Sequence, residues 1–297
     1  MGTSASFGGT PNKASLIPAF LDDSPTDTVA SDSSPEDAAN GDGPDAAAQA
    51  DAAAAPTLRF EAARRNFTAW VADGAEMPSA PSVAGSRRRS ATGRGLRRSL
   101  GRYAREGLRG SANAAGRMRG ASRAALGSIG VLRDIQTRGI EAALRDLNLG
   151  ALIGRSTREI FAAIIDVVCS RVETIDDDIA KQALLDSLLS LSEEQIVDLA
   201  ELNEVQISNF YALFICKAIE RRYLVDVSER GRGHAQSDGA YAAVDENVGR
   251  YIEISVQTRV SRAMEKHQPL DIAFTESTMT DVFAAAWSIL ESLDDGG

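Results

Sequence analysis

The sequence predicts an all-α protein: a C-terminal helical bundle preceded by a long, largely disordered N-terminal region. Three observations carry this. From about Ile129 to Leu293, apolar residues recur at helical spacing in one segment after another. The few β-branched runs, such as VLRDI and IEISVQTRV, fit helices as well as strands. Before residue 57, by contrast, apolar side chains are too sparse to offset the roughly 1–2 kcal/mol that ordering each backbone residue costs.

Residues 1–23 read as a flexible arm. Apart from Phe7, the opening MGTSASFGG is Gly, Thr, Ser and Ala after Met1, and Gly2 has no side chain to hinder removal of the initiator methionine. In SLIPAFLDD, Leu16, Ile17, Phe20 and Leu21 form a short apolar island broken by Pro18. That is the pattern of a docking peptide, because ordering a few residues onto a groove costs little. Residues 24–56 read as an acidic linker: from Asp22 to Asp51 there are nine acids and no base, set among Ala, Ser, Pro and Gly.

Residues 57–74, TLRFEAARRNFTAWVADG, place Leu58, Phe60, Ala63, Phe67, Trp70 and Val71 close to helical spacing, with Thr57 as a cap and Gly74 as a stop. One short amphipathic helix cannot bury its own face. It must pack on the later domain or on a partner, and packing on the domain is the simpler expectation.

Residues 85–128 form an Arg/Gly-rich segment, expected to be partly helical. Between Gly85 and Arg123 twelve arginines are opposed by one acid, Glu106. Each recurring glycine costs a helix interior about 1 kcal/mol relative to Ala, so a broken helix with close backbone contacts is expected. Arg87, Arg88, Arg89, Arg94, Arg97, Arg98, Arg102 and Arg105 are the candidates for binding nucleic-acid phosphates or an acidic partner. A third reading pairs the strip with the protein's own acidic segments. Tyr103 is the only aromatic residue in the strip, which leaves base-specific reading without support.

Residues 129–297 read as an acidic all-helical domain of roughly six helices. STREIFAAIIDVVCSR opens with a capping box, Ser156 with Glu159, and carries Ile160, Phe161, Ile164, Ile165, Val168 and Cys169 on one broad face. DDDIAKQALLDSLLSL has its acids in the first turn, where the helix dipole favours them. SEEQIVDLA, NEVQISNFYALFICKAIERRYLVDV, DENVGRYIEISVQTRVSRAMEKH and STMTDVFAAAWSILESLDD continue the series, and residues 229–243 form the one evident internal loop.

The search for chemistry is negative. The sequence has no Walker loop, GxSxG, HExxH or dinucleotide fingerprint. His234 and His267 lack ligand spacing, and Asp176, Asp177 and Asp178 point in different directions at a helix start, so capping is preferred to a metal site. No catalytic residue, cofactor or metal is expected, and the protein reads as a non-enzyme. Cys169 and Cys216 suit buried free thiols in a reducing compartment. With no apolar run of membrane-spanning length and no secretory signal pattern, the reading is a soluble cytoplasmic protein.

MGTSASFGG with the downstream LIPAFLDD, the RFEAARRNFTAWV segment, and SLGRYAREGLRGSANAAGRMRGA before an acidic helical domain together resemble the QatB family. Its members are components of the four-protein Qat anti-phage defence systems of bacteria. The linker from Asp22 to Ala55 has no matching pattern. The resemblance implies three partners: a P-loop ATPase (QatA), a QueC-like enzyme (QatC) and a TatD-like nuclease (QatD). It also implies a use for the arm. QueC-like enzymes activate a 7-deazaguanine carboxylate with ATP and let an amine attack, and relatives in defence systems are associated with joining the deazaguanine to a protein N-terminus. Gly2 is then the modified residue, Thr3 and Ser4 follow it into the partner, and the apolar island docks behind them. MGTSAS also fits a myristoylation pattern through Gly2 and Ser6; the Arg- and Ala-rich composition, a bias that often comes with GC-rich bacterial genes, and the general lack of that modification in bacteria disfavour it.

Overall fold

A computed structural model describes residues 59–78, 93–170, 174–190, 199, 201–231, 238–266 and 275–293. Among the described residues the chain forms ten α-helices and no strand. They are α1 (Glu61–Ala72), α2 (Arg94–Arg102), α3 (Ser111–Gly116), α4 (Arg119–Arg138), α5 (Ile140–Asp146), α6 (Thr157–Val168), α7 (Ile175–Ser190), α8 (Glu204–Gly231), α9 (Asp238–Glu265) and α10 (Glu276–Ser292). A π-helical turn, Tyr103–Gly107, continues α2.

The core is organised around α8. Phe210, Tyr211, Ala212, Phe214, Ile215, Cys216, Ala218, Ile219 and Tyr223 are all buried, so the helix is apolar on nearly every side and must be enclosed. It is covered by α1, α7 and α9, while α10 packs on α3, α4 and α9.

The amphipathic segment near residue 60 packs into this core, as expected. Ala63, Phe67, Trp70 and Val71 of α1 are buried, and the Trp70 Nε1 donates to the Glu76 carbonyl at 2.8 Å. Its N-cap is Phe60, with no side-chain hydrogen bond, rather than Thr57, which lies outside the described residues. Apolar anchoring does the work of a cap here: the Phe60 ring lies 5.3 Å from that of Tyr103 and beneath the Arg64 guanidinium at 5.7 Å. The helix ends at Asp73, before Gly74 in the left-handed region.

From residue 93 onwards the Arg/Gly-rich stretch is broken into α2, the π turn, α3 and the start of α4, and two of its glycines mark close approaches. A Cβ on Gly95 would lie 2.7 Å from the Trp70 Cβ, and one on Gly107 would lie 2.5 Å from the Phe60 ring. Ser99 joins the same contact in polar form, donating to the Ala63 carbonyl at 2.6 Å and pairing with the Tyr223 hydroxyl at 2.7 Å. The compositional boundary at residue 129 falls inside α4, whose Ala121, Ala125, Ile129, Leu132 and Ile135 join the same core as α1 and α2.

Five of the six expected C-terminal helices lie among the described residues; the sixth, SEEQIVDLA, lies outside them except for the buried Leu199. The capping box is present: Glu159 N donates to Ser156 Oγ at 3.3 Å, and Ser156 N donates to Glu159 Oε2 at 3.1 Å. The span 229–243, expected to form a loop, is helical at both of its ends. Helix α8 runs to Gly231 and α9 begins at Asp238, so helix enters the span from both sides. Polar and glycine residues read as loop there, yet at helix ends they cost little.

Candidate functional site

Gly2, Thr3, Ser4, Leu16, Ile17, Pro18, Phe20, Leu21, Arg87, Arg88 and Arg89 lie outside the described residues, as do His234 and His267. The root of the segment bearing Arg87–Arg89 is defined all the same. A Cβ on Gly93, where φ is +73°, would collide with Pro78, so the two described ends of that segment lie side by side.

The arginines on α2 divide by face. Leu96, Ser99 and Leu100 turn into the core, while Arg94 and Arg98 are exposed and Arg97 is half-buried. Further along, Arg102 pairs with Glu106 at 3.8 Å, and Arg105 Nη2 donates to the Glu291 carbonyl at 3.0 Å. Glu291 Oε2 also accepts from Ser111 N at 3.0 Å, and Arg123 pairs with Asp177 at 3.1 Å. Pairing within the protein therefore holds the inner end of the strip, at Arg105 and Arg123, whereas Arg94 and Arg98 face outwards. Tyr103, the single aromatic of the strip, is fully buried and has no face to offer a base.

Sequence reasoning missed what Tyr103 does. Its hydroxyl donates to Asp226 Oδ2 at 2.7 Å, and Arg222 Nε donates to the same oxygen at 3.1 Å. Arg64 holds the Asp226 carbonyl with Nε at 3.0 Å and Nη2 at 2.7 Å, and Arg222 also pairs with Asp176. Burial, then the Asp226 charge, pushes the Tyr103 hydroxyl well above its ordinary value. The network stitches α1, the π turn, α7 and α8 together, and gives Asp176 a partner beyond the helix start. Arg64 and Asp226 are 162 residues apart, so no local pattern announces them. Nearby, Arg59 is pushed below its ordinary value by burial and by the charges of Arg117 and Arg109.

Both cysteines are buried free thiols. Burial raises Cys169 to about 11 and Cys216 further, so both are protonated and unreactive near neutrality. Cys169 lines a cleft of about 300 Å³ with Gly120, Arg123, Ala124, Asp177 and Ala180. Among the described residues no group of three or more His, Cys, Asp or Glu is placed to hold a metal ion.

The family model for Qat anti-phage system associated protein QatB matches residues 109–290. The chain belongs to the QatB family. It is thus a component of the Qat anti-phage system, whose other components are implied as its partners. The matched span begins just after the π turn and runs through most of α10; Gly2, α1 and α2 precede it. No curated protein and no solved structure matches the chain. No helix among the described residues is long and apolar enough to cross a membrane.

Proposed function

We propose that this protein is a non-enzymatic member of the Qat system, whose Gly2 amine accepts a 7-deazaguanine group from a QueC-like partner and whose helical domain binds other components. Membership of the QatB family is the observation that carries the reading. In the proposed step ATP activates the deazaguanine carboxylate, the free amine of Gly2 attacks its carbonyl carbon, the activating group leaves and the nitrogen loses a proton, giving an amide. Chemistry favours an N-terminal amine as the acceptor. Its pKa of about 7.7–8.0 leaves roughly a fifth to a third of it as free base near pH 7.4, against roughly 0.1% of a lysine at about 10.4. Glycine adds no steric hindrance, and the arm from Gly2 to Ser15 spans roughly 45 Å when extended.

Intact mass and N-terminal peptide mapping of protein made together with its neighbouring genes test this. The expected result is loss of Met1 and one added deazaguanine on Gly2. An unmodified Gly2 under conditions where defence is active would sink the idea.

A second reading is favoured by the exposure of Arg94 and Arg98. The arginine segment is a binding surface for nucleic acid or for an acidic partner such as the ATPase or nuclease. Pull-downs of the wild type and of a variant with Arg87, Arg88, Arg89, Arg97 and Arg98 changed to Gln, each with and without nuclease, separate these. Capture that persists after nuclease treatment and is lost in the variant assigns a protein partner.

A further inference from the structure

We propose that the outer face of α7 is a self-association surface, on which a second copy of this chain packs its own α7 antiparallel, independently of any role of Gly2. Helix α7 is apolar on more sides than its neighbours cover. Ile179, Ala180, Ala183, Leu184 and Leu188 are buried. The helix is held from three directions: Arg123 of α4 pairs with Asp177 at 3.1 Å, Lys181 pairs with Asp166 of α6 at 2.8 Å, and Arg221 Nε of α8 donates to Asp186 Oδ2 at 2.6 Å.

The side left open carries a stripe of Ile175, Asp178, Gln182, Leu185 and Leu189, each exposed or half-buried. Their spacing alternates between three and four residues, which is the a and d pattern of a coiled-coil seam. Ile175 is 68% and Leu189 69% exposed, the highest values among the large hydrophobic side chains of the described residues. One exposed apolar side chain needs no explanation. Two on one seam, with the half-buried Leu185 between them, make a helix face that lacks its partner.

The seam is its own complement. Turned antiparallel about Ala180, it sets Ile175 against the second copy's Leu185 and Asp178 against the second copy's Gln182, and twofold symmetry repeats both contacts. Apolar then meets apolar. The Asp178 carboxylate accepts from the Nε2 of the second copy's Gln182, so no two carboxylates face each other across the axis. Leu189, one turn past Leu185, shields the apolar contact from water. The 16 residues of α7 span about 24 Å, and one such helix pair buries less than the roughly 800 Å² per partner of a standard interface, so the dimer is weak and concentration-dependent. A net charge of −10 makes the copies repel each other, and salt screens that repulsion. Added salt therefore strengthens self-association, whereas it would weaken the docking of a basic partner.

Sedimentation velocity of the full chain from about 1 to 100 µM, at low and at physiological salt, tests this. The expected result is a monomer–dimer equilibrium that moves towards dimer as salt is added. Ile175→Glu places a carboxylate in the first turn of α7, where the helix dipole accepts it; it should weaken dimerisation roughly tenfold or more and leave the far-ultraviolet circular dichroism unchanged. Gln182→Glu sets carboxylates face to face and should weaken the dimer too, while Gln182→Lys should strengthen it by pairing with the second copy's Asp178. A chain that stays monomeric at every concentration overturns the proposal, even if another Qat component binds the stripe. So does a dimer that Ile175→Glu leaves unchanged, or one on which the two Gln182 substitutions act alike.

Discussion

Replacing Tyr103 by Phe removes one oxygen from a fully buried position and leaves the ring that contacts Phe60 at 5.3 Å, Tyr223 at 5.2 Å and Trp287 at 5.8 Å. The packing term is therefore close to zero, and the cost is that of the bond to Asp226 Oδ2. A hydrogen bond to a charged group contributes about 1.5–3 kcal/mol, so the substitution should cost that much. Tyr223→Phe provides an internal comparison. Its hydroxyl pairs with a neutral group, Ser99 Oγ, at 2.7 Å, and its loss should cost about 0.5–1.5 kcal/mol. Urea unfolding followed by both far-ultraviolet circular dichroism and tryptophan fluorescence measures the two differences, provided the transitions coincide. A double-mutant cycle of Tyr103→Phe with Asp226→Asn isolates the pair, with an expected coupling of about 1–3 kcal/mol. If Tyr103→Phe costs less than about 0.5 kcal/mol, or no more than Tyr223→Phe, the Asp226 network does not hold α1, the π turn and α8 together as argued.

Two further outcomes follow from the same geometry. Gly95→Ala sets a Cβ at 2.7 Å from the Trp70 Cβ and 3.1 Å from the Asn66 carbonyl oxygen, and should cost about 1–3 kcal/mol; Gly130→Ala, in a helix with nothing within 4 Å, should gain about 0.5–1 kcal/mol, both read from denaturant midpoints. At alkaline pH the buried hydroxyls of Tyr103, Tyr211 and Tyr223, all raised first by burial, keep their protons after the unfolded chain has lost its own near pH 10. Stability should therefore be intact below pH ~10 and fall above it, by up to about 1.4 kcal/mol per pH unit for each group, and Tyr211→Phe should flatten the fall. An alkaline slope that is the same with and without Tyr211 would count against this.

The helices with one wet face were legible from sequence because their apolar periods are interrupted by polar positions, as in α6 with its capping box. The close packing behind the glycines was legible too, since a residue costly to a helix interior persists where a side chain does not fit, as at Gly95 and Gly107. Three things were not. The length of α8 and α9 was masked by polar, glycine-rich termini that look like loop. The burial of Tyr103 had no sequence signal, because its partners come from α8, more than a hundred residues later. The division of the arginines into an outward pair and an inner, paired set depends on which face of α2 meets α1, and charge counting alone carries no face.

The proposed acceptor, Gly2, and Phe60, which anchors the first helix, can be perturbed separately. Gly2, the proposed acceptor, precedes Arg59 by a length of chain that would reach on the order of 200 Å if fully extended. Phe60, pressed between Tyr103, Gly107 and Arg64, is where the described structure begins to hold the chain. Phe60→Ala deletes a half-buried ring and should lower stability by about 1–3 kcal/mol, less than the range for a fully buried Phe. If the partner enzyme recognises only the arm and its apolar island, this variant should carry the same mass addition on Gly2 as the wild type whenever it remains folded. Gly2→Trp, which should retain Met1, should show the reverse: no addition and unchanged unfolding. Loss of the addition in folded Phe60→Ala would mean that the enzyme reads the helical domain as well, and that the docking peptide is not sufficient for recognition.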